Sequence, residues 1–155
     1  MIVALNFKAY KESIGINAVK IVKKIDKKFK NIEVIAIVNP ADISLVANLK
    51  RKYVKLYTSI SKYSETYGSF TGSIPLDYLK DMNFDGILLN HFENRIPFEE
   101  IKKVISYSKK IGLETMVCAK DLKEAKKIDS LNPNYVAYEV PELIGTGKAI
   151  SKYKA

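Results

Sequence analysis

The sequence is poor in the residues that build disulfides, metal centres and membrane spans. It contains one cysteine, Cys118, and one histidine, His91. A single cysteine cannot form an intramolecular disulfide, and one thiol provides no metal-ligand pattern. No apolar run approaches the roughly 18 residues of a membrane-spanning helix, and the apolar start of the chain is interrupted at Asn6, too early for a secretory signal. We therefore expect a cytoplasmic protein with no metal and no membrane partner.

Arginine is also scarce, although the chain is strongly basic. The formal net charge is +9, yet Arg51 and Arg95 are its only arginines. Clustered cations bind the phosphates of nucleic acids, but the lysines here are spaced as the polar faces of several separate helices. Basic and aromatic residues do not interleave as they do in RNA-binding sheets. We expect no nucleic-acid partner, and a nucleic-acid role for the basic surface is the weaker alternative.

Two patterns of apolar residues alternate along the chain: near-continuous apolar runs, and stretches with the spacing of an amphipathic helix. Its 155 residues, 47% of them hydrophobic, suffice for one sizeable core, so we expect a single domain spanning residues 1–155. Near-continuous apolar runs separated by stretches of helical period predict a parallel sheet covered by helices. The predicted strands are 2–7, 33–38, 53–59, 86–90, 113–119 and 135–139, and the predicted helices are 16–30, 41–51, 76–82, 98–111 and 121–131.

Local signals mark the ends of two of these helices. Gly112 follows Lys109 and Lys110, as a helix C-terminal glycine with cations in the last turn. Asp121 precedes the next helix and is followed three residues later by Glu124, which matches a capping box with Asp in place of Ser or Thr. These residues predict a helix that ends before Gly112 and another that begins after Asp121.

One long segment, residues 61–75, shows neither pattern. It carries three aromatic residues, Tyr63, Tyr67 and Phe70, among small polar ones. Long ordered loops tend to be functional or to form interfaces, and this composition suits contact with another surface. The alternative is a mobile surface loop.

Polar side chains follow three of the predicted strands. Asn6 and Lys8 end the first strand, His91 follows the fourth, and Glu139 ends the sixth. Taken singly, each residue is more often solvated or structural than catalytic. However, the carboxyl ends of the strands of a parallel barrel meet on one face, and a carboxylate base, an imidazole and a cation suffice for proton transfer beside a carbonyl.

These motifs resemble those of the triosephosphate isomerase family, especially its compact archaeal form. The resemblance lies in Asn6 to Lys8, residues 88–95, the stretch from Glu139 to Gly147, residues 68–72 and residues 116–118, which occur in the family's order. It implies an α/β fold of the (β/α)8 TIM-barrel class, with about six of the eight βα units in this chain. It also implies the interconversion of dihydroxyacetone phosphate and D-glyceraldehyde 3-phosphate through an enediolate, in glycolysis and gluconeogenesis.

The resemblance implies a role for each strand-end residue. Glu139 corresponds to the base that removes the proton beside the carbonyl, and His91 to the neutral ring that polarises the carbonyl, the pairing established for this family. Lys8 corresponds to the cation that holds the phosphorylated three-carbon substrate, and Asn6 orients it. Phe7, between them, is included in the implied substrate-binding segment.

Other implied roles lie around this group. Glu93 and Arg95 correspond to charges near the site. Ile144 and Gly145 belong to a lid, where a backbone amide approaches the substrate phosphate. Thr71 corresponds to a loop tip that inserts into a neighbouring subunit, which implies a homo-oligomer. No cofactor is implied, because this proton transfer needs none.

Three further positions carry expectations. We expect Cys118 to be buried near the site as packing rather than chemistry. Phe92 replaces the small hydroxyl residue that the family generally has beside the histidine, and we expect it to crowd the pocket. Val140 replaces the proline that usually follows the glutamate, and we expect a less rigid hinge.

The sequence lacks the family's last two βα units, which supply part of the phosphate site. An unclosed six-stranded sheet exposes two edges and an apolar interior. The alternatives to an active isomerase are a truncated fragment, a split enzyme completed by a C-terminal polypeptide, a chain that exchanges elements with another copy, and a non-catalytic module.

Overall fold

Six parallel strands form one sheet in the order in which they occur along the chain. The computed structural model describes residues 1–144, 146 and 147. The strands are β1 (Ile2–Asn6), β2 (Glu33–Val38), β3 (Val54–Ile60), β4 (Tyr63–Ser64), β5 (Ile74–Pro75), β6 (Gly86–Leu89), β7 (Glu114–Ala119) and β8 (Tyr135–Tyr138). The short strands β4 and β5 form a separate parallel pair, so the main sheet runs β1-β2-β3-β6-β7-β8.

Five α-helices connect the strands of the sheet. They are α1 (Ile16–Ile25), α2 (Ile43–Ala47), α3 (Leu76–Asp81), α4 (Phe98–Ile111) and α5 (Leu122–Asp129), with short 3-10 helices at Pro40–Asp42 and Pro141–Leu143. The predicted alternation is confirmed, with six strands in the main sheet and five α-helices among the described residues. None of the helices in the described part of the chain is long and apolar enough to cross a bilayer.

The first helix ends earlier than the sequence pattern predicts. It stops at Ile25 rather than near residue 30, because Asp26 turns away to accept hydrogen bonds from the backbone N–H groups of residues 52–54 at the start of β3. Burial of Asp26 acts to raise the pKa of its carboxyl, but these N–H donors lower it below its ordinary value. The chain then returns through a short bridge between Phe29 and Ile32. A tertiary contact thus overrides the helical period.

The predicted second helix is also shorter, and the long segment is more ordered than a mobile loop. The predicted helix over 41–51 is only a 3-10 turn followed by α2. The segment 61–75 begins and ends in the β4–β5 pair. Tyr63 donates a hydrogen bond to Glu100 of α4 at 2.9 Å, and Tyr67 donates to Asp81 of α3 at 2.6 Å. These bonds fasten the segment to the helices.

The predicted helix ends at Gly112 and Asp121 are confirmed. Gly112 has φ 72° and ψ 34°, the left-handed conformation in which a side chain is unfavourable. Asp121 accepts a hydrogen bond from the backbone N–H of Glu124 at 2.7 Å. The carboxylate of Glu124 reaches back to the N–H of Lys120 instead of that of Asp121.

Alternate residues of the inner strands pack on opposite faces of the sheet. One face and the helices enclose the larger core, with Leu56, Ile87 and Val117 among its buried members. The other face carries a smaller cluster, which contains Ile35, Ile37, Tyr57, Leu88, Met116 and Cys118. No helix residue belongs to the smaller cluster. It is therefore the interior surface of a barrel-like sheet.

The sheet is strongly curved, and it is open. Tyr135 of β8 donates a hydrogen bond to Glu33 of β2 at 3.1 Å, although four strand spacings, about 19 Å, would separate these strands in a flat sheet. Within the described residues, β1 and β8 each pair on one side only. Leu5 and Tyr138, on these edge strands, are 37% and 46% exposed, whereas β6 is buried throughout. The architecture of the described residues is a half-barrel of six parallel strands and five α-helices.

Candidate active site

The curvature brings together the polar residues that follow β1, β6 and β8. Nε2 of His91 lies 2.9 Å from Oε1 of Glu139. Nζ of Lys8 lies 3.0 Å from Oε1 of Glu93, two residues beyond the histidine. These residues are far apart in sequence, and the carboxyl ends of parallel strands place them on one side of the half-barrel. The structure thus brings Lys8, His91 and Glu139 to the same side of the half-barrel.

The hydrogen bonds of His91 define the position of its proton. The backbone N–H of Glu93 donates to Nδ1 of His91 at 3.2 Å. Because Nδ1 accepts this bond, it carries no proton, and the ring hydrogen of a neutral imidazole must be on Nε2. The Nε2–H then donates to Glu139. The arrangement is that of a neutral ring that can donate one hydrogen bond into the site.

Glu139 is held by several hydrogen-bond donors. Besides Nε2 of His91, the backbone N–H of Phe92 donates to its Oε2 at 2.9 Å, and its side chain is only 13% exposed. Burial alone raises the pKa of Glu139, but the bonds from His91, from the Phe92 N–H and from the Cys118 thiol outweigh it and hold the pKa below its usual value. In this arrangement the carboxylate is a weaker base than an ordinary glutamate. Removing a substrate proton requires it to leave these donors.

Lys8 has an unusual backbone conformation. Its φ is 51°, a region that residues with a Cβ atom rarely adopt. Its N–H donates to Oδ1 of Asn6 at 3.1 Å, and its C=O accepts from Nδ2 of Asn39 at 2.9 Å. Its side chain is 19% exposed and paired with Glu93. The ammonium is thus presented beside the histidine and neutralised by an exposed carboxylate.

A polar cavity of about 360 Å³ adjoins these side chains. Asn6, Lys8, His91 and Glu93 all contribute to its wall. The rest of the wall comes from the ends of β2, β3 and β6 and from the long segment, at Asn39, Pro40, Ser59, Ile60, Ser61, Lys62, Gly72, Ile74, Leu88 and Asn94. Such a space suits a small anionic ligand, because cations and amide donors surround it. Glu139, which contacts His91, does not contribute to this wall.

The remaining predicted site residues lie at different distances from this cavity. Phe7 is buried in the larger core, and its N–H donates to the carbonyl of Ile37. Its part in substrate binding stays a prediction, and this placement gives its side chain no access to the cavity. Arg95 donates to the carbonyl of Asn90 at 3.1 Å and pairs with Glu124, so it acts behind the site.

The lid and interface predictions remain untested. Ile144 lies in a turn after the 3-10 helix Pro141–Leu143, and Gly145 lies outside the described residues. Thr71 is exposed on the long segment, where its carbonyl accepts a hydrogen bond from Lys62. The roles proposed for these residues stay predictions.

Two expectations about neighbouring positions have clear outcomes. The expectation that Phe92 crowds the pocket is wrong, because its side chain is 47% exposed and lies outside the cavity wall. Only its backbone N–H enters the site, and an N–H is common to all residues but proline. Cys118 is buried, as expected, and burial together with the nearby charge of Glu139 raises the pKa of its thiol.

Two asparagines at strand ends near the site have contacts that the sequence pattern did not predict. Asn90 is 1% exposed, donates to the carbonyl of Cys118 at 2.8 Å and accepts from the N–H of Ile96 at 3.2 Å. It thereby ties the end of β6 to β7 just before His91. Asn39 binds the backbone of Lys8. Both asparagines directly follow an apolar strand, and this strand-end position is the sequence feature that could have identified them.

No group of three or more potential metal ligands occurs among residues 1–144, 146 and 147. The side chains that converge at the site are a carboxylate, a neutral imidazole, an ammonium and amides. Together they can transfer protons and stabilise a developing oxyanion.

Comparisons with known proteins agree with the resemblance. A family model described as triosephosphate isomerase matches residues 1–155. The chain is similar to proteins named triosephosphate isomerase from Pyrobaculum islandicum, at 36% identity over 153 residues, and Methanocaldococcus jannaschii, at 35% over 153 residues. These alignments cover 99% and 98% of this chain, but 66% and 69% of the two relatives. The chain thus spans about two thirds of the length of the relatives it matches.

Proposed function

Because this chain belongs to the triosephosphate isomerase family, we propose that it supplies the proton-transfer groups that interconvert dihydroxyacetone phosphate and D-glyceraldehyde 3-phosphate. One observation carries the proposal. His91, with its proton on Nε2, is held 2.9 Å from the carboxylate of Glu139. A base and a neutral proton donor are thus paired on strand ends that the fold brings together.

The proposed reaction begins with Glu139. Its carboxylate takes the proton from the carbon beside the substrate carbonyl, and the electrons of that C–H bond form an enediolate. The Nε2–H of His91 donates to the carbonyl oxygen as negative charge develops there. His91 then gives its Nε2 proton to this oxygen and takes the hydroxyl proton from the oxygen of the neighbouring carbon, so the carbonyl changes position. Return of the proton from Glu139 to the former carbonyl carbon completes the isomerisation. Before the first step, Glu139 exchanges its bonds with His91 and Phe92 for the substrate.

Lys8 is the proposed anchor for the negatively charged substrate. Its ammonium is paired with Glu93, and both residues contribute to the wall of the polar cavity. A phosphorylated ligand carries more negative charge than the exposed carboxylate of Glu93, and therefore competes for the same cation. Asn6, whose side chain accepts from the N–H of Lys8, fixes the start of this segment.

The open sheet favours a second candidate, in which activity needs a complementing polypeptide. Both edge strands have an unpaired side within the described residues. An entirely apolar groove of about 190 Å³ lies beside β1, and its walls are Val3, Leu5, Ile25, Phe29, Ile32 and Val34. An exposed edge next to an apolar groove suits a strand followed by a helix. In this candidate the chain alone is catalytically impaired.

The same proposal includes a homo-oligomer and a cytoplasmic location. Thr71 lies on a segment that Tyr63 and Tyr67 hold to the helices, and Phe70 beside it is 50% exposed. An ordered, partly apolar projection suits contact with a second copy.

The experiment is a coupled isomerase assay on the purified chain, alone and mixed with the C-terminal third of the Methanocaldococcus jannaschii relative. We expect turnover in the mixture and its loss by roughly 10²- to 10⁴-fold in Glu139→Gln. Glu99→Gln, which changes an exposed carboxylate at the start of α4, is the matched control and leaves the rate unchanged. Sedimentation of the same samples reports their oligomeric state. A folded, complemented sample without turnover contradicts the isomerase proposal.

A further inference from the structure

We propose that Asn39 is a positioning residue for Lys8. Its side-chain amide holds the Lys8 backbone in the conformation that directs the ammonium toward Glu93 and the polar cavity. The kinetic consequence rests on the proposed isomerase function, whereas the structural consequence does not.

The backbone of Lys8 is an exception in this protein. Five described residues other than glycine have a positive φ, and four of them are asparagines, at positions 31, 83, 90 and 132. Asparagine tolerates this region because its short polar side chain can bond locally. Lysine has no such compensation. A lysine at φ 51° must be held there by its surroundings.

Two asparagine side chains hold it. The N–H of Lys8 donates to Oδ1 of Asn6 at 3.1 Å, and the C=O of Lys8 accepts from Nδ2 of Asn39 at 2.9 Å. Asn6 belongs to the strand that leads into Lys8 and cannot by itself set the direction in which the chain leaves. Asn39 binds from a different loop, after β2, and therefore fixes Lys8 relative to the sheet.

Asn39 is itself well fixed. Its Oδ1 accepts from the N–H of Ala41 at 3.0 Å and caps the 3-10 helix that begins at Pro40. The two ends of its amide thus have different partners, the cap on one side and Lys8 on the other. A second bond, from the N–H of Gly15 to the buried carboxylate of Asp42 at 2.9 Å, joins the same two loops. The loop that carries Lys8 is therefore fastened to a rigid neighbour.

The test uses Asn39→Ser, because serine retains an oxygen for the cap but lacks the Nδ2 atom that reaches the carbonyl of Lys8, and its side chain is shorter by two heavy atoms. The matched control is Asn17→Ser, since Nδ2 of Asn17 donates to the carbonyl of Lys11 in the same loop at 3.0 Å, away from the cavity. The first readout is the set of backbone ¹³C and ¹⁵N chemical shifts of Lys8, which report φ and ψ without any activity. We expect Asn39→Ser to move them out of the left-handed range and Asn17→Ser to leave them in place.

The second readout is binding of a phosphorylated hydroxamate that mimics the enediolate, measured on the complemented protein. We expect Asn39→Ser to weaken binding roughly 10- to 100-fold, and to have no effect in a Lys8→Met background, because Asn39 acts through the ammonium. Unchanged Lys8 shifts, or an equal loss of affinity in both backgrounds, overturns the proposal. If the parent protein fails to bind the mimic, the isomerase proposal fails, and the shifts alone decide the role of Asn39.

Discussion

Lys55 is the centre of a charged cluster inside the half-barrel, and its replacement by Met is the sharpest stability test of this fold. Its Nζ contacts Glu114 of β7 at 2.8 Å and Glu33 of β2 at 3.3 Å. Tyr57 and Tyr135 donate to these same two carboxylates. The cluster therefore links β2, β3, β7 and β8 across the curved face. Removing the ammonium leaves two carboxylates facing each other.

The expected loss follows from these distances. Because both carboxylates contact one nitrogen, at 2.8 and 3.3 Å, their bonded oxygens lie at most about 6 Å apart. At an effective dielectric constant of about 20, their repulsion is about 3 kcal/mol. The three side chains are 28%, 29% and 39% exposed, so solvent screens part of this energy. We expect Lys55→Met to lower the free energy of unfolding by about 2 kcal/mol.

Urea denaturation near pH 7 measures this loss, with Lys103→Met as the matched control. Lys103 pairs with Glu100 at 2.7 Å, but its side chain is 61% exposed, and we expect a change below about 0.5 kcal/mol. Burial lowers the pKa of Lys55, but Glu114 and Glu33 outweigh it and raise the pKa above its ordinary value. The lysine therefore contributes its full stabilisation below pH ~10.4 and loses it only above that pH. Equal losses at Lys55 and Lys103 would refute the reasoning.

Two further predictions concern Gly86 and Glu139. A Cβ atom at residue 86 would lie 2.5 Å from Cζ of Tyr57 and 2.6 Å from the backbone oxygen of Glu114, so Gly86→Ala should destabilise the fold by about 3 kcal/mol; a parent-like melting temperature contradicts this. Because the pKa of Glu139 is depressed in the folded state, its stabilisation is present above pH ~4.3 and is lost as the pH falls through the folded value. Glu139→Gln should therefore flatten the acid limb of the stability profile, and an unchanged limb would show that the His91 and Phe92 bonds do not stabilise the carboxylate.

The fold class followed from the sequence because a buried parallel sheet needs long apolar runs and its crossovers need helical periodicity. Helix ends could be predicted where the sequence signal is local. Gly112 and Asp121 mark helix ends through their own conformation and hydrogen bonds. The end of α1 could not be predicted, because Asp26 accepts hydrogen bonds from the backbone at the start of β3, 26 residues further along the chain. A long-range hydrogen bond of this kind produces no periodic pattern in the sequence.

The geometry of the candidate site could be predicted only in part, for the same reason. Strand-end positions identified Lys8, His91 and Glu139, since parallel topology brings such ends together. The outward direction of Phe92 could not be read from its residue type, because the turn after β6 decides which way the side chain points. Asn39 and Asn90 look like ordinary loop asparagines in the sequence. They differ from other asparagines only in what lies opposite them in the folded chain.

The sequence by itself determined the order of strands and helices, the family and the residue types at the strand ends, because these are encoded in short-range pattern. Only the tertiary structure decided which nitrogen of His91 carries the proton. It also decided that hydrogen bonds hold the pKa of Glu139 below its ordinary value. It alone decided that Lys8 is held in a strained backbone conformation from another loop. Each of these depends on distances between residues far apart in the chain, and such distances exist only once the sheet has curved.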